Sequence, residues 1–195
     1  ASGRRLALPE AMMPTNGLGI TATPGPFNEM DGFSPGIAAM THMPGATETG
    51  LATPDNIEAS LAAGSTTVIL NTRTGERVPH WVDRDEWVVQ AKLRVDAGES
   101  RPDPEDFVIN RDIDELRQEQ ALMLRPAVRL DDATRYIVAI RRVVDDMGNR
   151  VPASPGFAEL MDQVASDDDV IRSRRAKFED MFRELDNAGI GRHDL

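Results

Sequence analysis

The stretch that most constrains the fold of this chain runs from Leu122 to Asn149, LMLRPAVRLDDATRYIVAIRRVVDDMGN. Apolar side chains alternate with others up to Pro126, and Tyr136–Ile140 is aromatic and β-branched; both patterns are typical of strands. The acidic residues between them favour a reversal, because Asp side chains accept hydrogen bonds from nearby backbone amides. Gly148, which tolerates a positive φ, ends the second strand. The pattern predicts two strands joined by a turn, as in a small antiparallel sandwich.

Residues 1–54 contain seven prolines, which interrupt any regular element longer than a few residues. Only short strands are predicted there, near Leu6–Leu8 and Ile37–Thr41. The apolar content is too high for a plain disordered tail. We therefore expect an extended N-terminal wrap whose large apolar side chains pack on a neighbouring surface: Met12, Met13, Phe27, Met30, Phe33, Met40 and Met43.

Residues 55–152 carry most of the strand signals. A short helix is predicted for Asn56–Ala63, where Gly64 stops it. The β-branched run Thr66–Asn71 predicts a strand, and Val78–Val82 is expected to pair back on it. Apolar residues alternate with others through WVVQAKLRV, so Trp87–Val95 is also predicted to be a strand.

Two polar segments follow in the same region. The proline-bearing run Ala97–Pro104 predicts a loop. Asp112–Gln120 is charged and locally helix-prone, but it leads directly into the strand at Leu122. We therefore favour a non-helical structure for it.

Residues 153–195 change to a helical pattern. Pro155 suits the first turn of a helix running Gly156–Val164. A long helix is predicted for about Val170–Ala188, capped by the acidic run that precedes it and ended by Gly189. Apolar residues recur on its face at the helical period: Ile171, Phe178, Met181, Phe182 and Leu185.

Composition excludes some classes of function. The formal net charge is −11, from 22 basic and 33 acidic side chains, whereas a nucleic-acid-binding chain is usually basic. The absence of cysteine removes disulfides, thiol nucleophiles and cysteine metal ligands. No apolar run approaches the roughly eighteen residues that a membrane span needs. The first five residues, ASGRR, lack the apolar core of a signal peptide.

One hydrolase motif occurs, Gly32-Phe33-Ser34-Pro35-Gly36, which matches the G-x-S-x-G pattern of serine hydrolases. In that motif the residue after the serine donates its backbone N–H to the oxyanion, and Pro35 has no N–H. The flanking sequences also do not read as a strand and a helix. A tight turn is the favoured interpretation, with a catalytic Ser34 as the alternative.

The other polar candidates favour structural roles. The histidines, His42, His80 and His193, form no H-x-x-x-H pair that would indicate zinc. Acidic clusters at Asp145/Asp146/Asn149, Asp167–Asp169 and Asn28/Asp31 lack the spacing of an EF-hand, so we interpret them as turns and a helix cap rather than Ca²⁺ sites. A run of basic residues is balanced by nearby acids and is interpreted as a solvated helix face: Arg172, Arg174, Arg175 and Lys177. No catalytic, cofactor-binding or metal-binding residue is predicted.

Three segments in order resemble one family: LALPEAMMPTN (Leu6–Asn16), NEMDGFSPGIAAMTHMPG (Asn28–Gly45) and Leu122–Val151. They are similar to the N-terminal region of large secreted bacterial lipase-like and α/β-hydrolase-like proteins. The second, which contains D-G-F-S, is similar to the N-terminal domain of bacterial virulence-factor lipases, and Leu122–Asn149 in the third is similar to bacterial Ig-like domains. The resemblance implies an extracellular or cell-envelope setting and a β-sandwich, and it carries over no catalytic residue. It also implies a closing strand after the helical insert, and the chain ends at Leu195 before any such strand.

These patterns together predict a mainly β protein. We expect an Ig-like antiparallel β-sandwich (residues 55–152), with an extended wrap (1–54) and a C-terminal helical appendage (153–195). The favoured function is a non-catalytic module of a larger secreted protein that packs on a neighbouring domain or chain, with no nucleic-acid partner and no membrane span. An open sheet edge would then be available for strand exchange. The alternatives are a secreted ester hydrolase using Ser34, and a structural subunit of an extracellular assembly joined by strand exchange.

Overall fold

The computed structural model describes residues 6–30, 32–99 and 110–195. Helices make up 32% of it and strands 17%. The fold is therefore a mixture of helices and strands, whereas the sequence predicted a mainly β protein. The five strands are β1 (Ala39–His42), β2 (Thr67–Asn71), β3 (His80–Arg84), β4 (Ala121–Pro126) and β5 (Tyr136–Ile140). The five described α-helices are α1 (Gly25–Asn28), α2 (Trp87–Asp96), α3 (Ile113–Gln118), α4 (Pro155–Met161) and α5 (Asp169–Asn187). Short 3₁₀ turns lie at Glu10–Met12, Ile57–Leu61 and Arg192–Asp194.

The strands form two small antiparallel sheets, one in the order β1-β4-β3 and the other β2-β5. Both strands predicted within Leu122–Asn149 are present, but they do not pair with each other. β4 pairs with β1 and β3, whereas β5 pairs with β2, Ile69 lying opposite Val138. The connection between β4 and β5 is longer than the roughly two to five residues of a hairpin loop. It therefore crosses from one sheet to the other.

The two sheets face each other across the main core. Leu122 and Leu124 of β4 and Val82 of β3 pack with Ile69 of β2, and Ile140 of β5 packs against the same cluster. Each fully buried side chain of this kind stabilises the fold by about 1.5–3 kcal/mol relative to leaving it exposed. The predicted pairing of Val78–Val82 on β2 is present only at its start, where the Val78 N–H donates to the Ile69 carbonyl at 2.8 Å.

Helix α5 covers the opposite face of the β2-β5 sheet. Leu185 of α5 and the following Ile190 pack against Val68 and Leu70 of β2 and against the inner residues of β5. All five residues of β2 are buried, since one face meets the other sheet and the other face meets α5. The molecule is thus layered as sheet, sheet and helix.

The predicted ends of α5 are confirmed. The Asp168 carboxylate accepts hydrogen bonds from the Val170 and Ile171 N–H groups, as an N-cap does. Gly189, with φ +75°, follows the helix as its C′ residue. Helix α4 begins at Pro155 as predicted, but it ends at Met161 rather than at Val164.

Two predictions in the middle of the chain are wrong. Trp87–Val95 was predicted to be a strand and is helix α2, and the non-helical prediction for Asp112–Gln120 fails because Ile113–Gln118 is helix α3. Asp112 caps α3 by accepting from the Asp114 N–H. The two helices pack through Val89 and Leu116 in a separate small cluster. The loop predicted for Ala97–Pro104 lies partly outside the described residues.

The N-terminal wrap contributes one strand. β1 matches the strand predicted near Ile37–Thr41. Leu6–Leu8 was also predicted to be a strand and is not one; there the Leu6 N–H donates a hydrogen bond to the Met30 carbonyl. Most of the large apolar side chains that were expected to pack remain solvent-exposed: Met12, Phe27, Met30, Phe33 and Met40. Met43 packs against the main core.

Candidate functional site

Ser34 lies in an exposed turn, as the proline after it predicts. Its hydroxyl accepts from the Gly36 N–H at 3.4 Å, and its carbonyl accepts from the Ile37 N–H at 3.0 Å. The Pro35 carbonyl in turn accepts from the Leu130 N–H. No hydrogen bond within the described ranges joins Ser34 to a histidine.

The three histidines are separate from one another in their contacts. The His42 Nε2 lies 2.8 Å from the Gln118 carbonyl, and the His193 Nδ1 lies 4.0 Å from the Asp162 carboxylate. His80 is fully buried, with Nε2 2.9 Å from the Thr67 hydroxyl and Nδ1 2.9 Å from the Val78 carbonyl. Burial lowers the pKa of His80, opposed in part by the hydrogen bond to Val78. These contacts are those of a core side chain.

The acidic clusters are occupied with local backbone contacts. The Asp145 carboxylate accepts from the Met147 and Asn149 N–H groups, which closes the turn. Partial desolvation raises the pKa of Asp145, but these amides outweigh it and hold the pKa below its usual value. Asn28 bonds the backbone of Leu8, and its proposed companion Asp31 lies outside the described residues. Across the described ranges no three His, Cys, Asp or Glu side chains converge as a metal site.

The feature with the strongest potential for binding is the outer edge of β5. The Arg141 N–H donates to the Thr66 carbonyl, and the Arg135 carbonyl accepts from the Thr72 N–H, both toward β2. Backbone groups alternate in direction along a strand, so residues 137 and 139 also face β2. The N–H and C=O groups of Tyr136, Val138 and Ile140 therefore point away from β2. Among the described residues none of these outward groups has a backbone or side-chain partner.

The outer edge of β2 differs from that of β5. The Asn71 N–H donates to the Glu76 carbonyl at 2.9 Å, and the Ile69 carbonyl accepts from Val78. The chain after β2 thus folds back to satisfy its free side. β5 has no such partner in the described part of the chain, and Val138 at its centre is 40% exposed.

A groove of about 590 Å³ runs along this edge. It is lined by β5 and the residues after it, by Thr41–Pro44, by Arg150–Pro155 and by side chains of α4 and α5. Met43 packs with the main core and Met181 with the α5 side, so the groove is flanked on both faces of the β2-β5 sheet. The strand edge is therefore recessed between two walls.

The helical wall of the groove is aromatic. Phe157 of α4 lies edge-on to Phe178 and Phe182 of α5, with ring centroids 6.0 and 6.1 Å apart. The sequence signalled these α5 residues as the apolar stripe of a helix. It did not indicate that Phe178 and Phe182 also line a groove beside β5.

None of the described helices combines the length and apolar character that crossing a membrane requires. Comparisons with protein-family models, with curated proteins and with solved structures each found no significant match.

Proposed function

We propose that this chain is a non-catalytic interaction module that holds a neighbouring domain or chain by accepting an extended strand at the edge of β5. The observation that carries the proposal is the recessed edge itself: three residues with outward backbone groups, beside an apolar groove. Unpaired strand edges are templates for the addition of a strand from another segment.

The gain from such an addition is large enough to hold a partner. Each main-chain hydrogen bond contributes about 1 kcal/mol net. Apolar side chains of the added strand would also bury surface against the groove, at roughly 25 cal/mol per Å². The free energy from hydrogen bonds and burial must first offset the cost of association. We therefore expect a short segment to bind with an affinity in the micromolar range or weaker.

The resemblance of the chain to the N-terminal region of secreted bacterial lipase-like proteins supports an extracellular or cell-envelope setting. In this proposal the two facing sheets are an Ig-like sandwich in which the added strand extends the β2-β5 sheet. The module positions its partner and performs no chemistry of its own.

The test uses the intact chain and a simple strand peptide, Ac-TVTVTV-NH₂, followed by amide proton–nitrogen correlation spectra. The expected result is saturable downfield shifts of the Tyr136, Val138 and Ile140 amide protons, because these become hydrogen-bonded. The same peptide methylated at alternate backbone nitrogens should not bind, since its side chains are retained but its donors are lost.

A Val138→Pro variant provides the protein-side control. Position 138 points its N–H away from β2, so proline removes an outward donor without removing a ladder bond. Loss of binding with an otherwise unchanged spectrum supports the proposal. Binding of the methylated peptide as tightly as the parent, or shifts confined to residues away from β5, would overturn it.

A further inference from the structure

The charge of the β5 groove is opposite to that of the whole chain. The protein carries a net charge of −11, yet the groove lining contains three arginines and, among the described residues, no Asp or Glu side chain. The arginines are Arg141, Arg142 and Arg150, and two of them directly follow β5. Positive charge is therefore concentrated where the strand ends.

Two of these arginines are already committed to the protein. The Arg141 guanidinium is 3% exposed and donates to the carbonyls of Ser65 and Ala63, with Asp194 at 3.5 Å. Arg150 donates to the backbone oxygens of Asp194 and Leu195 at 3.0 and 2.8 Å. The guanidinium groups of Arg141 and Arg150 are therefore occupied by hydrogen bonds within the protein.

Arg142 differs from both. It is exposed, and its one described hydrogen bond is a long contact of 3.5 Å to the Gly64 carbonyl. Its backbone has φ +57°, a conformation that non-glycine residues rarely adopt. The pKa of Arg141 is lowered by burial first and then by the positive charges of Arg142 and Arg77, and the nearby Asp194 opposes this in part.

We infer that the occupant of the groove is an extended peptide segment with a carboxylate side chain at the end that meets Arg142. This inference rests on the proposed function and specifies the chemistry of the partner. The segment pairs its backbone with Tyr136, Val138 and Ile140, and alternate apolar side chains contact the aromatic wall. Antiparallel pairing continues the pattern of the sheet and places the N-terminal residue of the segment beside Arg142.

An acyl chain with a carboxylate head would match the apolar lining and the arginine but would leave the outward N–H and C=O groups of β5 unpaired. The strand edge therefore favours a peptide. A second folded copy is disfavoured because β5 is recessed between Thr41–Pro44 and the helices.

The test compares two peptides that differ at one residue, Ac-DVTVTV-NH₂ and Ac-KVTVTV-NH₂, by titration of the intact chain. The acidic peptide should bind about fivefold more tightly, as a partly exposed ion pair allows. Arg142→Gln should bring the ratio close to one, and Arg142→Glu should reverse it. Arg129→Gln, which changes an exposed arginine away from the groove, should leave the ratio unchanged.

The outcomes separate this inference from the proposed function. Equal binding of both peptides with downfield shifts at Tyr136, Val138 and Ile140 overturns the acidic occupant and leaves the strand acceptor standing. No binding of either peptide overturns both. Displacement of the acidic peptide by decanoate, with loss of those amide shifts, identifies an acyl ligand and also contradicts the inference.

Discussion

The single buried histidine, His80, predicts that the stability of this protein depends on pH. His80 is 0% exposed and uses both ring nitrogens, one with Thr67 and one with the Val78 carbonyl. Since Nδ1 faces a carbonyl, it carries the proton of the neutral ring and Nε2 accepts from the hydroxyl. A second proton would place a charge in the core, and burial accordingly lowers the pKa.

The sign of the pH effect follows from this lowered pKa. Below about pH 6.5 the unfolded chain protonates this imidazole, while folded His80 stays neutral down to its lowered pKa. The stability that the neutral ring provides is present above about pH 6.5 and is lost as the pH falls. The free energy of unfolding, measured by urea denaturation across that range, should fall more steeply for the wild type than for His80→Gln. Parallel pH profiles for the two proteins would contradict the assignment.

Backbone conformation at the end of β5 gives a second prediction at this scale. Arg142 adopts φ +57°, and a non-glycine residue there costs about 1 kcal/mol or more. Arg142→Gly should therefore raise the free energy of unfolding by about 0.5–1 kcal/mol, whereas Arg142→Ala should bring no such gain. Thermal denaturation of the three proteins makes the comparison, and a destabilised glycine variant would speak against a strained Arg142.

Some residue-scale features were predictable from sequence and others were not. Asp168 and Gly189 were predicted because caps are local, and each depends on a few neighbouring residues. The positive φ of Arg142 has no local signal, since arginine is not a residue that favours it. The charge of the groove was not predicted either: Arg141, Arg142 and Arg150 are close in sequence, but Asp145 and Asp146 lie between them, so the sequence does not show that the described groove lining lacks acidic side chains.

At the scale of elements, helix α2 shows how two periods compete. In WVVQAKLRV the apolar residues alternate, which favours a strand, but Val88, Ala91 and Val95 also recur at helical spacing. The helix is selected by tertiary packing, because Val89, Val88, Ala91 and Val95 meet α3 around Leu116. Trp87 and Leu93 are left exposed as a result.

This packing gives a prediction about α3. Leu116 is 1% exposed and is, with Val89, one of two buried side chains in the small cluster between α2 and α3. Leu116→Ala should lower the free energy of unfolding by about 2–4 kcal/mol, because it leaves a cavity that short helices fill poorly. Leu93→Ala, at a site 42% exposed on α2, should cost much less. Urea denaturation followed by circular dichroism compares them, and similar losses for the two variants would refute the packing of α2 on α3.

Strand pairing is the element-scale feature that the sequence left most open. The sequence pattern predicted the positions of β2, β4 and β5 well. It also predicted that β4 pairs with β5 as a hairpin, which is wrong. Pairing depends on contacts between distant segments, and here β5 is joined to β2 across more than sixty residues. The Tyr136 hydroxyl accepts from the Asp131 N–H and so braces the connection that crosses between the sheets.

At the scale of the whole molecule, the layering of sheet, sheet and helix determines what is left free. β2 is enclosed by the other sheet, by α5, by β5 and by residues 76–78. In the part of the chain that the structure describes, β5 is enclosed on three sides, and its fourth side opens into the groove. Because α4, α5 and Thr41–Pro44 stand beside that edge, we expect that a flat sheet edge from another folded molecule cannot reach it.

The isolated chain should accordingly remain a monomer at concentrations of about 50 μM, since a recessed edge disfavours edge-to-edge association. Sedimentation velocity measures this directly. A stable dimer that Val138→Pro dissociates would instead favour the alternative of a subunit that assembles through strand exchange.

The central claim, that β5 accepts an extended strand, is tested most directly by nuclear Overhauser contacts in the complex of the intact chain with Ac-DVTVTV-NH₂. Antiparallel pairing predicts close contacts between peptide backbone protons and the backbone protons of Tyr136, Val138 and Ile140, with the peptide Asp nearest Arg142. A bound peptide that contacts only the aromatic side chains of α4 and α5, and no backbone proton of β5, would contradict it.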